Sequence, residues 1–159
     1  KIILICGKIC SGKTWYARRL RDSGSAVILS TDEATYDLIN NEQGPFYDQF
    51  AVRVNLYLRK KAVEIVNAGA DVILDWGFWT RESRREMDDY LTSRGIVFEW
   101  HYIDVSDERW AKNIAERNAE IERGCEGPDF YVNDGLLDKV KTLFEPPEAN
   151  EMDAVCSFR

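Results

Sequence analysis

Eight residues near the start of the chain, Gly7 to Thr14, read GKICSGKT: a glycine, four residues, a second glycine, a lysine and a threonine. That spacing builds a cradle for a polyanion. Gly7 and Gly12 remove the Cβ atoms that would hold the backbone away from a phosphate, so the N–H groups of Lys8, Ile9, Cys10 and Ser11 can point inward. Lys13 then reaches the outer phosphates, and the Thr14 hydroxyl is placed to bind Mg²⁺. The Lys8 and Ser11 side chains add donors at the loop rim. The chemistry implied is capture of a nucleoside triphosphate.

Two carboxylates belong with this loop. Asp32 follows the apolar run Ala26-Val27-Ile28-Leu29-Ser30, and Asp75 closes Ala70-Asp71-Val72-Ile73-Leu74. Carboxylates just beyond parallel strands stand at the edge where ligands bind in open α/β sheets. Asp32 fits a catalytic base; the alternative is that Thr31 or Asp32 only caps the following helix, and one residue can do both. Asp75 fits a residue that orients Mg²⁺ or its water, or that contacts the substrate hydroxyl. Behind it, Trp76-Gly77-Phe78-Trp79-Thr80-Arg81 offers an apolar wall with an anion donor, so Trp76, Trp79 and Arg81 join Asp32 as expected acceptor contacts. The competing expectation is that these aromatics fill core, with Arg84 and Arg85 on an exposed helix face. Late in the chain Arg117 is placed to stabilise a phosphate in transfer. Its helix is also laced with Glu108, Glu116, Glu120 and Glu122, which suits a solvated charged face.

The elements that must position these groups alternate. Apolar strand-like runs occupy Lys1–Cys6, Ala26–Ser30, Ala70–Asp75, Gly95–Asp104 and Ala154–Phe158. Helical patterns fill the gaps: one from Trp15, one over Glu33–Asn40, a long one over Tyr47–Ala68, then Thr80–Arg94, Arg109–Arg123 and Asn133–Phe144. Asn41 to Pro45 reads as a break. Phe50, Val52, Leu56, Leu58, Val63 and Ile65 are the expected core of the long helix. His101 lies within a strand with no partner in sequence, so a packed histidine is expected. Strand and helix alternation implies a three-layer α/β fold with a mainly parallel sheet.

At 159 residues the chain is expected to form one domain, 1–159, with a lid over about 106–130, where Gly124 to Asp129 looks flexible. With 45% hydrophobic and 31% charged residues it is a globular composition, not a disordered one. A net charge of −7 argues against bulk attraction to nucleic acid or an anionic membrane. No apolar run or basic leader suggests membrane insertion or export. Cys6, Cys10, Cys125 and Cys156 form neither a CxxC pair nor a zinc spacing, so reduced thiols and a cytoplasmic setting are expected.

Taken together, GKICSGKT, Ser30-Thr31-Asp32, Val72 to Asp75, Glu116-Arg117-Asn118 and Phe144 to Pro147 resemble, in order and spacing, the small P-loop kinases that include polynucleotide 5′-kinases, zeta toxins and chloramphenicol phosphotransferase. The resemblance implies a P-loop NTPase fold with five strands in the order 2-3-1-4-5. It also implies ATP and Mg²⁺ as cofactors, Asp32 as the base for an acceptor hydroxyl, and Arg117 as the lid arginine on the ATP phosphates. The chain departs from these relatives at two positions. Thr35 stands where polynucleotide kinases often carry an arginine for the substrate phosphate, which points to a small-molecule acceptor instead of nucleic acid. Asn113 stands where many relatives carry a second lid arginine, a role open to Lys112 or Arg109. A nucleotide-binding regulator or slow ATPase is the alternative class. A GTPase is disfavoured, since no NKxD signature appears and Asp75-Trp76-Gly77 is not a DxxG switch.

Overall fold

The computed structural model describes residues 1–39 and 46–159. The break expected at Asn41 to Pro45, and the Asn40 end of the second helix, lie outside the described residues. Strands β1 (Ile2–Cys6), β2 (Ala26–Ser30), β3 (Asp71–Gly77), β4 (Phe98–Val105) and β5 (Ala154–Phe158) form one sheet in the order β2-β3-β1-β4-β5. Every pairing in it is parallel, the β5 edge included. All five residues of β1 are buried, as a central strand covered on both faces requires. Helices α1 (Lys13–Asp22), α2 (Thr31–Ile39), α3 (Tyr47–Asn67), α4 (Arg81–Thr92), α5 (Asp107–Glu122) and α6 (Asp134–Leu143) pack around this sheet. Two apolar cores result, one containing Ile2, Leu4, Leu74 and Trp100, the other Ile3, Ile5, Ile73 and Ile103.

Register sets the site. Asp75 is paired with Ile5 of β1 on one side and Ser30 of β2 on the other, so the loop after β1 and the helix after β2 both start beside it. The β1–β3 ladder then slips, with Cys6 opposite Gly77. Beyond the slip, Gly77 (φ 90°) and Phe78 (φ 45°) both take left-handed backbone conformations, which turn the chain sharply. A Cβ on Gly77 would stand 2.9 Å from the Trp79 indole nitrogen, so only glycine lets that ring close over the corner. Phe78 carries a Cβ in the same disfavoured region, at a cost of about 1–2 kcal/mol. Its ring is buried edge-on against Trp100 at 4.8 Å, which offsets the strain.

Two side-chain expectations fail here. Arg84 is fully buried instead of exposed: it donates to the carbonyls of Phe78 (3.2 Å) and Glu145 (3.0 Å) and pairs with Glu151 at 3.2 Å. Arg85 is exposed, as expected. In α3 the buried stripe is Val54, Leu58 and Ala62, at a spacing of four, while Val52 and Leu56 are exposed. Those two border a cavity beside Trp76 and Trp79 instead of entering the core.

Candidate active site

The phosphate loop connects β1 directly to α1. Gly12 caps α1 at φ 98°, a left-handed position suited to glycine. Gly7 is needed for a different reason: a Cβ there would stand 2.8 Å from the Ser11 hydroxyl and 3.0 Å from the Ile103 carbonyl. Lys13 Nζ donates back across the loop to the Lys8 carbonyl at 2.6 Å. The Ser11 hydroxyl is buried and finds no partner among the described residues, which is how a donor awaiting a phosphate oxygen stands. Thr14 Oγ1 donates to Asp75 Oδ2 at 2.7 Å.

A hydroxyl and a carboxylate side by side, with phosphate oxygens to complete the shell, suit Mg²⁺, which rarely takes an all-protein cage. Among the described residues no group of three or more His, Cys, Asp or Glu side chains is placed to hold a metal ion. Thr14 and Asp75 therefore fit the ion.

Asp32 reaches the site because its helix is capped by a neighbour. β2 runs straight into α2, which starts at Thr31, and the Ser30 hydroxyl accepts from the Glu33 amide at 3.3 Å. Asp32 thus sits in the first turn, its carboxylate free of the cap. The residue keeps exposed surface at the cavity, but the atoms packed around its carboxyl desolvate it and raise it above the usual aspartate range, opposed by the nearby cations Lys13 and Arg117. Burial likewise lowers the Lys13 ammonium, with Asp75 and Asp32 opposing. A triphosphate against Lys13 would favour its charged form.

A cavity of about 550 Å³ runs along the loop, lined by Ile9 to Trp15 and by Asp32 and Asp75. α5 closes its far side with Arg109, Asn113 and Arg117. Arg117 pairs with Asp129 at 2.7 Å, on the segment that returns from α5. Asn118 ties that return down, exchanging two hydrogen bonds of 2.8 and 2.9 Å with the Val132 backbone. Asn113 donates to the Cys10 carbonyl at 2.8 Å, so it braces the loop. Arg109 lines the cavity and Lys112 does not; Lys112 is exposed. Replacing Arg109 with alanine is expected to weaken nucleotide binding roughly five- to tenfold, the scale of one charge-assisted contact in a solvent-open cleft, read by titration calorimetry.

The other side chains named from the sequence divide. Lys8 turns away: its ammonium lies over the Trp110 ring at 4.4 Å and near Asp107 at 3.5 Å, leaving the loop only its backbone. Cys10 lines the cavity, and burial raises its thiol, so it is a poor nucleophile. Trp76 and Trp79 line a second cavity of about 700 Å³ that also reaches Lys13, Asp32 and Arg117. Arg81 stands apart. It pairs with Glu148 and its amide donates to Glu145 at 2.6 Å. His101 is packed, with Tyr16 Oη 2.9 Å from its Nδ1.

Sequence reasoning missed Tyr47, Phe130, Tyr131, Asn133 and Lys139, all on the wall of the second cavity. The signal was the aromatic pair Phe130-Tyr131 directly after the break Gly124 to Asp129. The same reasoning missed Glu145, whose amide donates to the Trp79 carbonyl at 2.8 Å and so ties Phe144 to Pro147 to the aromatic corner.

Comparison with known proteins agrees with this architecture. No curated protein matches the chain. Among solved structures, a candidate kinase from Chloroflexus aurantiacus superposes with a TM-score of 0.72 at 16% identity, covering 98% of this chain and 85% of that one. The APS kinase of Mycobacterium tuberculosis, in complex with AMPPNP and APS, gives 0.65 at 16% identity, over 99% and 87%. Shikimate kinase from Aquifex aeolicus gives 0.55 at 16% identity, over 99% and 85%. At such identity the likeness is one of fold, and the fold is that of the P-loop kinases. The family model described as AAA domain matches residues 2–147, a span holding the loop, both aspartates and Arg117, and the chain is a member of that family.

Proposed function

We propose that this protein is an ATP- and Mg²⁺-dependent phosphotransferase acting on a hydroxyl of a small molecule, within the group of small P-loop kinases its motifs resemble. One observation carries the reading: the phosphate-loop cavity and the aromatic-walled cavity meet at the same three charged side chains, Lys13, Asp32 and Arg117. Two substrates can therefore approach one another across a base and two cations.

In this reading the Asp32 carboxylate takes the proton of the acceptor hydroxyl. That oxygen forms a bond to the γ-phosphorus, the bond to the β,γ-bridging oxygen breaks, and ADP leaves with the electron pair. Lys13 and the loop amides hold the phosphates, and Arg117 meets the charge that builds during transfer. Mg²⁺ at Thr14 and Asp75 would neutralise charge on the phosphate oxygens. Thr35 is fully buried and spends its hydroxyl on the Thr31 carbonyl at 2.7 Å, so it offers nothing to a nucleic-acid phosphate. That, with the net charge of −7, favours a small acceptor. No described helix is long and apolar enough to cross a membrane.

The test is ATP turnover with and without a panel of alcohols, sugars, nucleosides and hydroxy acids. Stimulation by an acceptor that itself becomes phosphorylated is the expected result. Hydrolysis indifferent to every acceptor and to substitution of Asp32 would favour a nucleotide-operated regulator instead.

A further inference from the structure

The aromatic-walled cavity has walls of two kinds. Tyr47, Trp76, Trp79, Phe130 and Tyr131 supply rings, and Tyr47 meets Phe130 edge to face at 5.9 Å. Such a wall takes a flat or apolar body and excludes water from it. The charged residues on the wall are Lys13, Asp32, Arg117 and Lys139. Among the described residues three cations and one carboxylate line this cavity, and of the cations Arg117 is paired with Asp129.

Two of these cations also line the phosphate-loop cavity, where Lys13 is bonded to the loop and Arg117 to Asp129. Lys139 lines the aromatic cavity and not the other. Among the described residues no carboxylate lies within ion-pairing distance of it. α6 delivers it. The cap Asn133, then Leu136 and Lys139, follow at intervals of three and so present one face of the helix to the cavity.

We infer that the acceptor is a hydroxylated small molecule bearing an aromatic or other flat apolar body and an anionic group, a carboxylate or a phosphate, that pairs with Lys139. The inference rests on the phosphotransferase reading for what occupies this cavity. The hydroxyl lies toward Asp32, the body between Trp76 and Trp79 and the rings of the segment before α6, and the anion at the α6 end. With Lys13 and Arg117 engaged by the triphosphate, Lys139 is the cation left to read it.

The experiment uses matched probes that differ by the anion: mandelate against benzyl alcohol for a carboxylate, and uridine monophosphate against uridine for a phosphate. Each is titrated calorimetrically into the protein saturated with a non-hydrolysable ATP analogue. The anionic member of at least one pair should bind about tenfold more tightly than its neutral partner, the pair showing which anion is read. Lys139→Glu should abolish that preference and Lys139→Arg should retain it. Lys139 is exposed on α6, so folding should survive both changes, which a thermal melt checks. Equal binding of both members in both pairs, no binding by any probe, or a preference that persists in Lys139→Glu would overturn the inference. The parent reading fails differently: a bound anionic probe that never receives label from γ-labelled ATP sinks the phosphotransferase while leaving the anion preference in place.

Discussion

Replacing Asp32 with asparagine should lower acceptor-dependent phosphoryl transfer by roughly 10²- to 10⁴-fold, the usual contribution of a positioned general base. Asparagine keeps the size and the position in the first turn of α2, so the loss isolates proton transfer, equivalent to about 3–5 kcal/mol of barrier. Binding of ATP should change little, since Asp32 repels phosphate if anything. The pH profile gives an independent reading. Desolvation raises the Asp32 carboxyl above its ordinary value of 3.8, and the base works only when ionised. Turnover should therefore fall as pH drops through that raised value, giving an acid limb above the one a free aspartate side chain would give. The asparagine variant should lose this limb. Single-turnover measurement with saturating ATP across the acidic range checks both claims; an unchanged rate in the variant removes Asp32 from the chemistry.

Replacing Arg84 with alanine should destabilise the fold by about 3–5 kcal/mol, the cost of breaking a buried ion pair from one side. Glu151 would keep its negative charge with the guanidinium gone, and the carbonyls of Phe78 and Glu145 would each lose a donor. Phe78 suffers most, because its strained backbone is held by that donation and by a long contact of 3.5 Å from the Cys6 thiol. Urea denaturation should show the midpoint falling at constant slope. Pairing Arg84→Met with Glu151→Gln should recover much of the loss, since removing both charges avoids the unpaired one. If Arg84→Ala unfolds at the wild-type urea concentration, the buried pair is not what holds the aromatic corner.

The loop was legible because it rests on local chemistry, whereas the sheet order was implied by the resemblance of the motifs to the small P-loop kinases and is the order observed. An apolar run ending in glycine, four residues and GKT can be read without knowing what packs against it, and β1 is wholly buried as that reading requires. Asp75 beside the loop was implied by the same resemblance, and the register of β3 between β1 and β2 places it there. What was not legible depends on contacts distant in sequence. Arg84 looks like any arginine on a charged helix, and its burial is decided by Glu145 and Glu151, some sixty residues on. Lys8 looks like a phosphate donor until Trp110 is placed beneath it. Val52 and Leu56 fit the helical period of α3, but that period allows more than one apolar face, and packing against β3 selects the stripe through Val54 and Leu58. Lys139 could not be chosen from sequence because nothing local marks the side of α6 that meets the cavity.

The ring of Phe158, on the edge strand β5, lies 3.6 Å from where a Cβ on Gly12 would stand and meets Trp15 edge-on at 5.6 Å. The phosphate-loop turn is thus backed by an aromatic buttress that lies more than a hundred residues further along the chain. A nascent chain can display the signature of a nucleotide site long before its support has been made, and the grip tightens only when β5 docks alongside β4.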